Sequence, residues 1–100
     1  MKKVFILHDR SGLNFDSVEK FGEPWVVMEN NIHPADLKAI GEAVNKVLDV
    51  IEQDDYILVT ASLSSTVAMG LLCSRLPFGY VNILVFDSKH EKYIERRLTL

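Results

Sequence analysis

Polar side chains suited to holding a phosphate lie in two short segments, each directly after an apolar run. Residues 8–12 read His-Asp-Arg-Ser-Gly, and residues 60–66 are rich in hydroxyl groups. The second segment leads straight into an apolar helical pattern. Its backbone N–H groups and hydroxyls would therefore lie at a helix N-terminus, a favourable place for an anion. The guanidinium of Arg10 adds a two-pronged donor that matches a phosphate. Together the two segments predict a site for a phosphorylated, nucleotide-like small ligand.

The predicted ligand site draws nine residues from these segments. They are His8, Asp9, Arg10, Ser11, Thr60, Ser62, Ser64, Ser65 and Thr66. In this hypothesis Arg10 binds the phosphate, and the Ser64 N–H, Ser65 and Thr66 surround it. A purely structural interpretation stays open, because serines such as Ser64 and Ser65 are preferred helix N-caps and His8 and Asp9 also suit an exposed turn. The chain carries no dinucleotide fingerprint and no P-loop motif.

An enzyme built on the same segments is the alternative. In that interpretation the chain is a metal-independent phosphodiesterase or nucleotide-processing enzyme, with His8 as general acid or base and Arg10 stabilising charge. The spacing does not indicate a Ser-His-Asp triad, and no histidine or cysteine pair has the spacing of a metal site. We therefore expect binding rather than catalysis, with neither a metal nor another cofactor.

Length and composition narrow the class of protein. One hundred residues, 48% apolar and 25% charged, predict one globular domain over residues 1–100. A net charge of −3 argues against nucleic acid as a partner. The apolar run at residues 4–7 is too short for a signal peptide, and no run approaches the length of a membrane span. With one cysteine, Cys73, the chain is expected to be cytoplasmic and to have no membrane partner.

Apolar periodicity predicts the elements that position the site. Strands are expected at residues 3–8, 24–28, 56–61, 81–86 and 92–98, with one helical turn near residue 16. The first long helix would begin at Pro34, and the second would run from Ser64 or Ser65 to Leu76. This order predicts a three-layer, Rossmann-like α/β sandwich. Its mostly parallel five-stranded sheet would have the order 2-1-3-4-5 and end in an antiparallel β-hairpin. Ligands bind such sheets beyond the strand ends at the switch in strand order, here between strands one and three.

Two surfaces predict partners. The second helix is apolar nearly all round, which is more than one sheet face covers, so we expect a homodimer. Gly70 within it would allow a close approach to a neighbouring element. The last strand, residues 92–98, suits an exposed edge that a protein partner would extend by adding a strand.

Four segments carry a resemblance to a known group of proteins. They are KVFILHDRSG at residues 3–12, FGE at 21–23, DDYIL at 54–58 and KYIER at 92–96. Through them the chain resembles small bacteriophage-encoded α/β proteins along nearly its whole length. That likeness implies an origin and a fold but brings no activity with it. More locally, residues 58–62 and 66–69 are similar to the strand-turn-helix of CARF-type Rossmann domains, which bind cyclic oligonucleotides.

Overall fold

The computed structural model of the protein describes residues 2–9, 16–29 and 31–100. Its elements are β1 (Lys3–Ile6), a 3-10 helix (Asp16–Lys20), β2 (Glu23–Val26), α1 (Leu37–Val50), β3 (Tyr56–Val59), α2 (Leu63–Arg75), β4 (Tyr80–Asp87) and β5 (Lys92–Thr99). The strands form one five-stranded sheet in the order β2-β1-β3-β4-β5. All neighbouring strands are parallel except the antiparallel pair β4 and β5. The predicted α/β class, strand order and C-terminal hairpin are confirmed.

Both α-helices cover the same face of the sheet, and the reason is the direction of the connections. The chain moves the same way along the sheet from β2 to β3 and from β3 to β4, so right-handed crossovers place α1 and α2 together. Their apolar stripes bury the core of this helix face. That core is formed by Phe5, Leu7, Met28, Ile40, Val44, Val47, Ile57, Ala68, Leu72 and Val81.

In the described part of the chain, the opposite face of the sheet is covered by the 3-10 helix and a group of aromatic rings. The β1-to-β2 connection runs the other way along the sheet, which places the 3-10 helix and its buried Val18 on this side. The Phe21 ring meets Tyr56 edge-on at 5.6 Å and Tyr93 at 6.4 Å, measured between ring centroids. Large rings cover much area per residue, so a few of them cover a large part of this face.

A hydrogen bond on this aromatic face makes the stability of the fold depend on pH in the alkaline range. The Tyr56 hydroxyl donates to Glu95 Oε2 at 2.5 Å, and this bond, together with burial, raises the pKa of Tyr56 to about 12. Because the folded state holds the phenolic proton more tightly than the unfolded chain, the stabilisation is complete below about pH 10 and is lost as pH rises towards 12. We expect the wild type to lose on the order of 2 kcal/mol more than Tyr56→Phe over this interval. Urea denaturation of both proteins at a series of pH values measures the difference, and parallel curves would contradict it.

Both α-helices begin at a different residue from the predicted one. Pro34 lies in a turn before α1, and Asp36 is the N-cap, its carboxylate accepting from the Ala39 N–H at 3.1 Å. The N-cap of α2 is Ser62, not Ser64 or Ser65. A cap must itself be non-helical and reach the N–H three residues on, and only the tertiary setting selects which polar residue does so. No helix in the described ranges is long and apolar enough to cross a membrane.

Candidate ligand site at the ends of β1 and β3

The segments that follow β1 and β3 are held together by side-chain hydrogen bonds. His8 is buried, with 7% of its surface exposed. Its Nδ1 lies 2.8 Å from the Ser62 hydroxyl oxygen. The Thr60 hydroxyl donates to the His8 carbonyl at 3.1 Å. The structure therefore brings His8, Thr60 and Ser62 into one network at the switch in strand order, where ligands bind in open α/β sheets.

Ser62 organises the turn that opens α2. Its hydroxyl oxygen accepts from the Ser65 N–H at 3.0 Å, as an N-cap does. The Ser65 hydroxyl accepts in turn from the Thr60 N–H at 3.1 Å, and the Thr66 hydroxyl donates to the Ser62 carbonyl at 3.0 Å. Ser65 is fully buried. The turn is thus fixed from inside by its own hydroxyls.

The first turn of α2 has backbone donors with no acceptor among the described residues. The first N–H groups of a helix have no partner within the helix. Here the Ser62 hydroxyl takes the Ser65 N–H and the Ser62 carbonyl takes the Thr66 N–H. The N–H groups of Leu63 and Ser64 bond to no acceptor among the described residues. They lie at the positive end of the helix dipole, where an anion is stabilised.

The other ring nitrogen of His8 is the second unusual feature. Nε2 is buried and has no hydrogen-bond partner in the part of the chain that the structure describes. Buried polar atoms are nearly always paired, so an exception of this kind is typical of a functional site or of a place for an ordered water or ligand. The residues that follow Asp9 directly, Arg10 and Ser11, lie outside the described residues.

The predicted site residues that the structure describes differ in how deeply they are buried. His8 is not an exposed turn residue, because the end of β1 lies inside the sheet between β2 and β3. The Asp9 N–H donates to the Met28 carbonyl at 2.9 Å, and this residue is half-buried. Thr60, Ser64 and Ser65 are buried, whereas Ser62 is half-buried and Thr66 is exposed. Of the hydroxyl residues of the predicted site that the structure describes, Ser62 and Thr66 are thus the more exposed ones.

The contact between His8 and Ser62 is the arrangement that the spacing of the sequence did not reveal. The two residues lie 54 positions apart, and only the pairing of β1 with β3 brings them together. A histidine bonded to a serine hydroxyl is also the core of a nucleophilic pair. Nε2, the nitrogen that a triad carboxylate would orient, has no such partner among the described residues.

Other polar groups are not part of this hydrogen-bond network. Among the described residues no three histidine, cysteine or acidic side chains are grouped to hold a metal ion. His33 accepts from the Ala35 N–H at 3.0 Å before α1. At the hairpin tip His90 lies 2.6 Å from the Asp87 carboxylate, and this hydrogen bond lowers the pKa of Asp87. Burial raises the pKa of the Cys73 thiol, which reduces its reactivity.

One family model matches the chain. The phage Pam3 gp32-like protein family matches residues 2–100. The chain belongs to this family. The match confirms the small phage-encoded protein that the four quoted segments implied. No curated protein and no solved structure matches the chain. The local likeness to CARF-type domains stays a prediction.

Proposed function

We propose that this phage protein binds a phosphorylated small ligand, nucleotide-like in size, at the ends of β1 and β3. The observation that carries the proposal is the first turn of α2. There the N–H groups of the exposed Leu63 and the buried Ser64 have no acceptor among the described residues, and they lie beside the half-buried Ser62. An anionic oxygen at this position would accept from these donors and lie at the positive end of the helix dipole.

His8 supports the proposal as a positioning residue. Its Nδ1 contact orients the Ser62 hydroxyl at the start of α2. Its buried Nε2 has no hydrogen-bond partner among the described residues, so a ligand or a water could supply one. Thr60 and Ser65 support the turn from within. Arg10 and Ser11 follow in sequence, and we assign Arg10 the charged contact to the phosphate. A chain with one free cysteine suits the cytoplasm, where such a ligand is available.

A thermal-shift screen against mono-, di- and cyclic nucleotides and inorganic phosphate tests this function. A ligand at about ten times its Kd contributes about 1.4 kcal/mol of stability, which raises the Tm of a domain of this size by about 6–11 °C. Replacing Arg10 with alanine removes a charge-assisted hydrogen bond and should weaken binding about 10- to 100-fold. Ser62→Ala should also weaken it, whereas Ser62→Thr keeps the hydroxyl and should retain most of the affinity.

The control for Arg10→Ala is Arg75→Ala, which removes the same charge at the other end of α2, where the residue is exposed. This variant should bind as the wild type does. Equal weakening by both variants would indicate unspecific charge attraction rather than a site. The proposal is wrong if no compound in the screen, phosphate included, shifts the Tm at millimolar concentration.

The 2.8 Å contact between His8 and Ser62 also favours the enzymatic alternative, a metal-independent phosphodiesterase or nucleotide-processing enzyme. The same samples decide this point when they are analysed for hydrolysis products. Under the alternative, His8→Ala abolishes turnover and leaves ligand affinity nearly intact. Under the binding function, the wild type forms no product from any nucleotide that it binds.

A further inference from the structure

The strand β5 forms an open edge of the sheet. Among the described residues it pairs only with β4, and its other side has no neighbouring strand. Its register with β4 is continuous over all eight residues, from Lys92 opposite Asp87 to Thr99 opposite Tyr80. The strand contains neither a bulge nor a proline. Native proteins protect such an edge with charged side chains, a bulge, a proline or a covering element, and among the described residues β5 has only the first of these.

The hydrogen bond that follows the last register pair shows which backbone groups face outwards. The Leu100 N–H donates to the Gly79 carbonyl at 3.0 Å, one step beyond the pair of Tyr80 and Thr99. Bonding alternates along an antiparallel pair, so the even-numbered residues of β5 bond to β4. The N–H and C=O groups of Glu95, Arg97 and Thr99 therefore point towards the open edge.

We propose that a second copy of this chain pairs with β5 in antiparallel fashion, about a two-fold axis at Arg96 that runs perpendicular to the sheet. In this register Glu95 lies opposite the partner's Arg97, and Ile94 lies opposite the partner's Leu98. The two-fold axis repeats each pair once. Each half of the seam thus contains one pair of opposite charges and one pair of apolar side chains. Both kinds of cross-strand pair stabilise a sheet.

The charge pattern of β5 selects this register over its neighbours. The alternative registers of the two β5 strands differ from this one by two residues. A shift by one residue would place the helix face of one copy beside the aromatic face of the other. One shift by two residues places Glu95 on the axis opposite the partner's Glu95. The other places Arg97 opposite the partner's Arg97. Each of these registers has one like-charge pair and loses both pairs of Glu95 with Arg97. The proposed register also has one like-charge pair, Arg96 opposite the partner's Arg96, but it gains two opposite-charge pairs and is favoured for that reason.

The helix face of the sheet beside β5 is the apolar surface that the seam would cover. Leu98 is 42% exposed, and Val85, the β4 neighbour of Ile94, is 45% exposed. The two α2 helices, apolar on most sides, would flank this seam on the same face of the joined sheet. The homodimer predicted from the apolar surface of α2 thus acquires a defined contact along the edge strand.

The side chains of Glu95 and Arg97 are already ordered by contacts with β3 and β4. Glu95 accepts from the Tyr56 hydroxyl through one oxygen. The Arg97 Nε donates to Asn82 at 3.2 Å, and its guanidinium lies over the Tyr80 ring. Such ordering before association reduces the entropy lost on binding. One contact must open, since Arg96 donates to the Glu95 carbonyl at 2.8 Å on the open edge.

Charge exchange tests the register through the mass of the protein in solution. We expect the wild type to sediment as a dimer. The variants Glu95→Arg and Arg97→Glu each place two like-charge pairs across the seam and should sediment as monomers. An equimolar mixture of the two variants restores both opposite-charge pairs and should sediment as a heterodimer. The control is Lys92→Glu, which makes the same charge change as Arg97→Glu. Lys92 lies opposite the partner's Leu100, which is uncharged, so this variant should remain dimeric.

A cross-link tests the axis with a substitution that does not disturb folding. Arg96 is exposed and lies opposite its own copy at a non-hydrogen-bonded position, where Cα atoms are close enough for a disulfide. In a Cys73→Ser background, Arg96→Cys should form a covalent dimer on mild oxidation, and Lys92→Cys should not. The proposal is overturned if the wild type is a monomer, or if the charge variants stay dimeric and Arg96→Cys does not cross-link. The latter result would place the interface elsewhere, for example on α2.

Discussion

Replacing Asp55 with alanine should lower the free energy of unfolding by about 3–5 kcal/mol. The carboxylate is buried, with 3% of the residue exposed, and it lies at the end of the sheet opposite the candidate site. One oxygen accepts from the Lys3 N–H at 2.9 Å, and the other accepts from the Glu52 N–H at 2.8 Å. The Lys3 ammonium lies 3.3 Å away. Truncation leaves these donors and a partly buried charge without their acceptor.

The ion pair between Lys3 and Asp55 adds to the expected loss of stability, because Asp55 stabilises the charged form of Lys3. Burial by itself would lower the pKa of Lys3, but hydrogen bonding and attraction by Asp55, with a contribution from Glu52, raise it overall. Urea denaturation measures the loss, with Asp49→Ala as the control because that carboxylate is exposed on α1. The control should change stability by no more than about 0.5 kcal/mol. A similar loss in both variants would show that the position of the charge does not matter.

Replacing Gly22 with alanine should destabilise the protein by about 3 kcal/mol, the upper part of the range for overpacking. A Cβ atom at this position would lie 2.5 Å from the carbonyl oxygen of Lys2 and 2.8 Å from its carbon. These are backbone atoms at the start of β1, and the Glu23 N–H bonds to the same carbonyl at 2.9 Å. The clash therefore separates β1 from β2 at the point where their pairing begins.

The matched control is Gly70→Ala in α2. Among the described residues, no atom outside the adjacent residues and the helix backbone lies within 4 Å of a Cβ added there, so the close approach predicted at Gly70 is wrong. Alanine is the better helix former, and this variant should gain about 0.5–1 kcal/mol. Thermal unfolding of both variants should move the Tm in opposite directions. A loss of stability in Gly70→Ala, or none in Gly22→Ala, would contradict the assignment of the two glycines.

The class of fold and the strand order follow from local patterns in the sequence. The apolar pattern predicts a strand at residues 56–61 that is buried on both faces, and β3 is a central strand. The apolar repeat along α1 predicts a helix that packs on one face, and it does so through Ile40, Val44 and Val47. The handedness of crossovers then leaves few topologies. Such features need only neighbouring residues and general rules, so they are predictable.

The exact contacts of the candidate site were not predictable in this way. The register of β1 with β3 places Ile6 beside Leu58, and two residues later it places His8 beside Thr60. A sequence does not encode that register in any local signal. It emerges when whole faces of the sheet are packed, because a slip by one residue would turn every side chain to the other face. The burial of His8 and its bond to Ser62 follow from this register.

The sequence by itself thus determined the elements, their order and the edge of the sheet where polar segments meet, because periodicity and chain connectivity are local properties. Tertiary structure alone decided that Ser62 caps α2, that Ser65 is buried and that His8 faces Ser62. It also decided that Gly22, rather than Gly70, must lack a side chain. Each of these outcomes depends on which backbone atoms lie next to a residue from a distant part of the chain, and packing alone settles that.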